Sequence, residues 1–341
     1  MRRAVVAAAA AAALAGCGGG PPGDSLGDKA QVFVLDVRHG DLRQITDDGD
    51  DYAPPAWSPS GDRIAGSFGS GIVLLSPDGR RLKGFHVANV NAETPPAWSR
   101  DGRRLAFETT YDNRRTGSTD ARLTLLLVAT GARRAPGNFA VDTPSWSPHD
   151  RSLVYLTGDL VIDTKPIRQQ IWSVRPAGGK PRRIARGATD DFPPQLSRDG
   201  RRLLFARPNS IWTARADGSR QTRLAKGLSL PAAAWAPNDR DVAAVTSGEA
   251  RSHAFLLSPA GKRRALLPRM IASEPVAWAP GGRLIAWADE HSGATLIHVV
   301  RPDGSGHRVV AHMADRVVIV GLTWSPDSRR LAFSAYKSNE D

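Results

Sequence analysis

Apolar and polar positions along this chain alternate in short runs broken by turn-forming residues. From Gln31, the run QVFVLDV, the turn Arg38-His39-Gly40-Asp41 and the run LRQIT read as two strands about a glycine-containing turn. Counterparts of this hairpin begin at Ile72, Leu123, Gln170, Ser210, His253 and Thr295. A second kind of hairpin lies between them, first as PPAWSPSGDRIAG from Pro54: a strand through Trp57, a Ser-Pro-Ser-Gly turn, and a strand through Ile64. Proline presets φ at the first central turn position and glycine accepts positive φ, so the chain reverses tightly there.

The second hairpin is written seven times, with anchors at Trp57, Trp98, Trp146, Leu196, Trp235, Trp278 and Trp324. Successive anchors lie 41, 48, 50, 39, 43 and 46 residues apart, the period of a propeller array. One hairpin of each kind makes a four-stranded sheet, which is the propeller blade. The expected fold is all-β, a seven-bladed β-propeller of four-stranded antiparallel blades, with strands a to d running outward from the axis. The array starts with a c–d hairpin at 31–46 and finishes with an a–b hairpin at 317–336, so the N- and C-terminal strands are expected to share the final blade. Such closure removes an open sheet edge.

The repeats resemble the PD40, or TolB-like, branch of WD40-type propellers, whose unit reads approximately P-x-W-S-P-D-G-x-x-I/L-A-F. Trp57-Ser58-Pro59, Trp146-Ser147-Pro148 and Trp324-Ser325-Pro326-Asp327 carry the match closely, while Arg100 and Arg198 stand in place of the proline and Leu196 in place of tryptophan. The resemblance runs from Gln31 to the end of the chain and implies the propeller fold. TolB proper resembles a six-bladed propeller, whereas seven units are counted here. Prolyl-oligopeptidase-like peptidases carry the same propeller type with a C-terminal hydrolase. No hydrolase is expected here, because no Ser/Asp/His set stands in the strand–turn–helix context that chemistry needs.

Composition then places the domain. Residues 1–16 read as an export signal: Arg2 and Arg3, a short apolar run, and small residues before Cys17. Leu14-Ala15-Gly16-Cys17 resembles the bacterial lipobox, which implies lipidation of Cys17 and anchoring at the outer surface of the cytoplasmic membrane or in the periplasm or outer membrane. An ordinary cleaved signal is the competing reading. Cys17 is the single cysteine of the chain, so no internal disulfide can form. Residues 17–30, rich in Gly and Pro, are expected to be a flexible tether, and 31–341 the propeller. Gly23-Asp24-Ser25-Leu26-Gly27 mimics a nucleophile elbow but lacks the flanking strand and helix. The net charge of +12 favours anionic surfaces, and export argues against nucleic acid as the natural partner.

Turn position colours the two faces of the disc differently. Arginines such as Arg63, Arg103, Arg104, Arg182, Arg201 and Arg329 fall near the a–b and c–d turns. Asp47, Asp48, Asp50, Asp51, Glu93, Asp142, Asp190, Asp191 and Glu274 fall just before the a strands, on the face of the d–a and b–c connections. Solvated turns account for this pattern, as does a basic face against anionic lipid or polymer with an acidic rim for a partner. The longest interruptions, 108–122 in blade 2 and 158–169 in blade 3, are expected as b–c loops on the acidic face. Partner-binding candidates are therefore Asp51, Glu93, Tyr111, Asn113, Arg114, Asp142, Asp163, Lys165, Arg168, Asp191 and Glu274. The tryptophans, repeated in the same place in each blade, are expected to fill the wedges between blades.

Asp47, Asp48, Asp50 and Asp51 are weak candidates for a Ca²⁺ site, since they lack the spacing of an EF-hand loop; otherwise no cofactor is expected. The eight histidines show no zinc-site spacing. The expected function is non-catalytic: a monomeric, exported, lipid-anchored propeller that binds an envelope protein or polymer. A metal-dependent hydrolase or lyase acting in the central channel is the alternative.

Overall fold

In the computed structural model the described residues are 26–68, 70–91, 94–113, 118–137, 142–157, 169–188, 193–227, 229–247, 253–258, 260–265, 272–291 and 294–338. They form seven four-stranded antiparallel sheets. Blade 1 runs outward through Ala56–Trp57, Ile64–Phe68, Gly71–Leu75 and Arg81–His86. Blade 2 uses Ala97–Trp98, Arg104–Asn113, Ser118–Leu127 and Arg133–Arg134. Blades 3 to 6 fall within 142–188, 195–226, 229–265 and 272–315. Blade 7 closes the ring: its a and b strands are Val317–Trp324 and Arg330–Lys337, and its c and d strands are Gln31–Asp36 and Leu42–Gln44. The closing ladder runs from Gln31 opposite Ala335 to Asp36 opposite Arg330.

The core lies between blades. Alternate side chains on a strand point to opposite faces of its sheet, so each radial sheet feeds two interfaces. In the closing strand, Val32 and Val34 join Trp57, Ile64 and Val73 of blade 1, while Phe33 and Leu35 turn the other way, to the interface with Ala286 and Ile297 of blade 6. Seven apolar clusters result, one for each blade interface.

Every anchor sits in the interface with the preceding blade, Leu196 included. The indole also does polar work there. Trp98, Trp146, Trp235 and Trp324 donate Nε1–H to the carbonyls of Ala56, Ala97, Gln195 and Ala277, at 2.9 to 3.2 Å. Each acceptor is the residue just before the anchor of the preceding blade. These carbonyls belong to the innermost strand and lie opposite strand b in its ladder, so the indole bond ties the inner strand of one blade to the next blade. The buried Nε1 atoms of Trp57 and Trp278 find no such acceptor.

Neighbouring a–b turns touch as well. The fourth residue after each anchor has positive φ throughout: Gly61, Gly102, Asp150, Gly200, Asp239, Gly282 and Ser328. Glycine tolerates that conformation best, and Asp and Ser are short polar exceptions. Where the turn of one blade carries proline two residues after its anchor, the next blade has Gly or Ser at this position. A Cβ on Gly61 would stand 3.3 Å from Pro326 Cδ, and one on Gly200 3.5 Å from Pro148 Cδ. Where arginine replaces the proline, a backbone N–H appears and the next blade answers with aspartate. Asp150 accepts from the N–H groups of Arg100 and Asp101 at 2.7 and 3.1 Å, and Asp239 from those of Arg198 and Asp199.

Both described ends of the chain leave on one side. Strand b of blade 7 runs away from the a–b turns to Lys337, whose N–H donates to Gly27 O at 2.8 Å. Leu26 is buried beside the interface of blades 6 and 7.

Candidate functional site

The most individual feature is on that same side. In place of the b–c loop expected at 108–122, blade 2 continues its b and c strands as a two-stranded ribbon, in register from Arg104 opposite Leu127 to Asn113 opposite Ser118. The segment is polar, which made it read as a loop. Its Thr109, Thr110 and Tyr111, however, are strand-favouring residues, and an unbroken ladder needs no apolar face beyond the disc. The connection from blade 1 braces the ribbon's base: Asn91 N–H donates to Glu108 O at 3.1 Å and Thr110 N–H to Asn89 O at 2.8 Å. On one ribbon face the Arg122 guanidinium lies 5.0 Å from the Tyr111 ring centroid, and Thr109 and Thr124 pair their hydroxyls at 2.8 Å.

The acidic stretch before blade 1 is occupied with holding the N-terminal segment. Asp51 accepts from Ala30 N–H at 2.8 Å, Asp48 accepts from the Tyr52 hydroxyl at 2.7 Å, and Lys29 Nζ donates to Gly49 O at 2.6 Å. Burial first, and then the Asp48 hydrogen bond and charge, push the Tyr52 pKa well above its ordinary value. Asp47 is exposed, and Asp50 offers its backbone carbonyl to Gln31 Nε2 at 2.7 Å. Among the described residues no group of three or more His, Cys, Asp and Glu converges as metal ligands.

The remaining candidates divide by what is described. Tyr111 and Asn113 are on the ribbon; Asp142 begins strand a of blade 3, opposite Leu156; and Glu274 lies in the irregular stretch between Ala272 and Val276 in strand a of blade 6. Cys17, Glu93, Arg114, Asp163, Lys165, Arg168 and Asp191 lie outside the described residues.

On the opposite face the structure separates arginines that look alike in sequence. The sixth residue after the anchor is arginine in four blades, and each lies over the indole of the next blade: Arg63 on Trp98, Arg104 on Trp146, Arg202 on Trp235 and Arg330 on Trp57, 4.7 to 5.5 Å from ring to guanidinium. Blade 3 has Ser152 there, facing the one interface anchored by leucine. Other basic side chains stitch outer strands to neighbouring turns, as Lys83 does to Val128 O and Arg308 to Val37 O. The fifth residue after the anchor is different: Arg103, Arg151, Arg201, Arg240, Arg283 and Arg329 are all exposed. Sequence reasoning pooled both sets as one basic face, and the position within the repeat was the signal that separates them.

The carboxylates of these turns are held by the turns themselves. Ser99, Ser197 and Ser325 hydroxyls donate to Asp101, Asp199 and Asp327 at 2.5 to 2.6 Å. Partial burial acts to raise these pKa values. The serine hydroxyl, a backbone N–H and the adjoining arginine charges outweigh it, so all three lie below the ordinary aspartate value. A recess of about 1280 Å³ opens on the rim between blades 6 and 7, where Asp36 accepts from the N–H groups of Arg38 and His39 at 2.9 Å.

Comparison with known proteins agrees with this architecture. Putative TolB from Agrobacterium tumefaciens superposes with a TM-score of 0.54 at 17% identity, covering 91% of this chain and 99% of that one. An oligogalacturonate lyase in complex with manganese gives 0.63 at 14% identity, with 93% and 95% covered. The oligogalacturonate lyase of Vibrio parahaemolyticus gives 0.59 at 13%, with 93% and 99% covered. At such identities the likeness is one of fold. No curated protein matches the sequence. The family model for the TolB beta propeller domain, PD40, matches residues 72–318, and the chain therefore belongs to that family.

Proposed function

We propose that this protein is a non-catalytic binding propeller, exported and held by a lipid on Cys17, whose ribbon face recognises an envelope protein or polymer. The observation that supports the reading most is the blade 2 ribbon. It extends a paired hairpin beyond the blade, carries Tyr111 under the Arg122 guanidinium, and is braced at its base by residues 89–91. Rigid, projecting, strand-built elements place contact residues more reproducibly than loops, and tyrosine and arginine are the side chains most used as anchors at interfaces.

The lipid-anchor part of the proposal rests on the lipobox resemblance and on chain reach. Cys17 is separated from Leu26 by a stretch that spans at most about 30 Å when extended. The described chain starts on the ribbon side, so an anchored protein would turn that side toward the bilayer.

Two measurements test this. A photo-crosslinking residue at Tyr111 in the full chain, expressed in its own cells, should give a discrete adduct that the same residue at Arg43 on the outer rim does not. Equal or absent adducts at both positions would remove the ribbon from the proposal. Separately, Cys17→Ser should abolish a lipid mass on the mature N-terminus and release the protein from membranes; an unchanged membrane fraction would end the anchor reading alone.

A further inference from the structure

The a–b turn face holds six exposed arginines that are not stacked on an indole. Arg103, Arg151, Arg201, Arg240, Arg283 and Arg329 occupy one position in six successive blades, with Asp62 in that place in blade 1. Among the described residues none of the six makes a side-chain hydrogen bond or an ion pair within 4 Å, in contrast to Arg104 one residue on, which is stacked on Trp146 and lies 3.7 Å from Asp101. They stand on a common platform. The a–b turns join the innermost strands to their neighbours, and contacts run from turn to turn: Arg100 to Asp150, Arg198 to Asp239, and Gly281 N–H to Ser328 Oγ at 2.8 Å. The arginines therefore form an arc about the mouth of the central channel.

We propose that this arc binds a linear polyanion, a polymer with phosphate or carboxylate groups repeated along its length. The chemistry follows from the spacing of the charges. One arginine per blade offers no fork of two guanidinium groups to a single small anion, and an isolated exposed ion pair gains little in water. A chain bearing many charges engages several arginines at once, so the weak contacts act together and its condensed counterions are released. Nearby acids do not close the site. Asp101, Asp199 and Asp327 feel the charges of Arg103, Arg201 and Arg329 but are bonded to their own serines, and Asp150 and Asp239 are bonded to backbone N–H groups of the preceding turn. A bilayer is the less suitable occupant, because the described N-terminal segment leaves from the opposite face. That orientation rests on the anchor reading, whereas binding by the arc does not.

The test uses the purified full chain with two probes, polyphosphate of defined length and a polyuronate, at low and moderate salt. At least one probe should bind, and the slope of log Kd against log salt should show several contacts. Arg103→Gln, Arg201→Gln and Arg329→Gln combined should weaken binding by about tenfold or more and reduce that slope by about one for each arginine removed. A control triple on the c–d turns of the same face, Arg80→Gln, Arg182→Gln and Arg220→Gln, removes the same charge and should weaken binding by less than about threefold. Preference for one probe assigns the charge chemistry, phosphate or carboxylate. Absence of binding to both at low salt, or equal losses in the two triples, overturns the proposal. Neither result touches the ribbon, which is read by crosslinking at Tyr111.

Discussion

On the turn face three departures from the repeat are matched in an adjoining blade: Arg100 with Asp150, Arg198 with Asp239, and Leu196 with Ser152 in the blade before it. On the ribbon face the blade 2 departure stands alone among the described residues, none of which extends a neighbouring hairpin to meet the ten-residue strands Arg104–Asn113 and Ser118–Leu127. The difference teaches where to look for function. Variation compensated across an interface preserves packing, while variation without a counterpart is free to serve a partner. The exposed arginine arc is the exception that makes the rule useful, being a repeated feature that no interface consumes.

The largest expected effect comes from breaking the ring on which both faces depend. Deleting residues 31–46 strips the outer partners from Leu331 and Phe333, whose ring stacks on Phe33 at 5.5 Å. Loss of a cooperative melting transition is expected; an unchanged melting temperature would show that closure contributes nothing. Next, Trp146→Ala should cost about 3 to 5 kcal/mol in chemical denaturation, since it removes a wedge, the bond to Ala97 O and the platform for Arg104. Arg104→Gln alone should cost about 0.5 to 1 kcal/mol.

The compensation itself can be broken and restored. Asp150→Gly keeps a residue suited to φ of 55° but leaves the N–H groups of Arg100 and Asp101 without their acceptor. A loss of about 1 to 2 kcal/mol is expected, moderated by the exposure of the site. Adding Arg100→Pro removes one of those N–H groups and recreates the Pro/Gly arrangement of the neighbouring interface, so the double variant should recover most of the loss. Additive losses in a double-mutant cycle would show that the two positions are independent.

Acid sensitivity is a smaller effect and belongs to the turn face. Asp101, Asp199 and Asp327 have folded pKa values below the ordinary one, so their contribution is present above the unfolded value of about 4 and is lost as pH falls through the folded values. Stability should drop below about pH 4, and Asp327→Asn should flatten that decline slightly, the partial exposure of the side chain keeping the change modest. The smallest stability effect is expected on the other face. Replacing 110–121 by Asn-Gly shortens the ribbon to a tight hairpin and should leave the melting midpoint nearly unchanged. A large destabilisation would mean that the ribbon belongs to the fold rather than to a partner.

Much of the fold was legible because it is local and repeated. Hairpin alternation, the Pro/Gly turn chemistry and the anchor spacing specify blades, and an array that starts on a c strand and stops on a b strand specifies how the ring shuts. The wedge role of the tryptophans was legible too, though not their bond to carbonyls of the preceding blade's innermost strand. The ribbon was misread because polar residues are equally at home in loops and in strands that face water on both sides. Of the candidate site, Asp51 proved to be a brace for Ala30, which no local pattern around Asp51 reveals.

The sequence by itself determined the blades, their number and their closure, since each depends on residues a few positions apart or on a count. Only the tertiary structure decided which arginine of the paired turns in blades 2, 4 and 7 is spent on an indole and which is exposed, because the partner lies on the next blade, 42 and 33 positions along the chain for Arg104 and Arg202 and across the ring closure for Arg330. It also decided that the described N-terminal segment leaves from the ribbon face and not from the basic one. Backbone pairing across the ring, between Gly27 and Lys337, settles that, and no pattern within either segment records it.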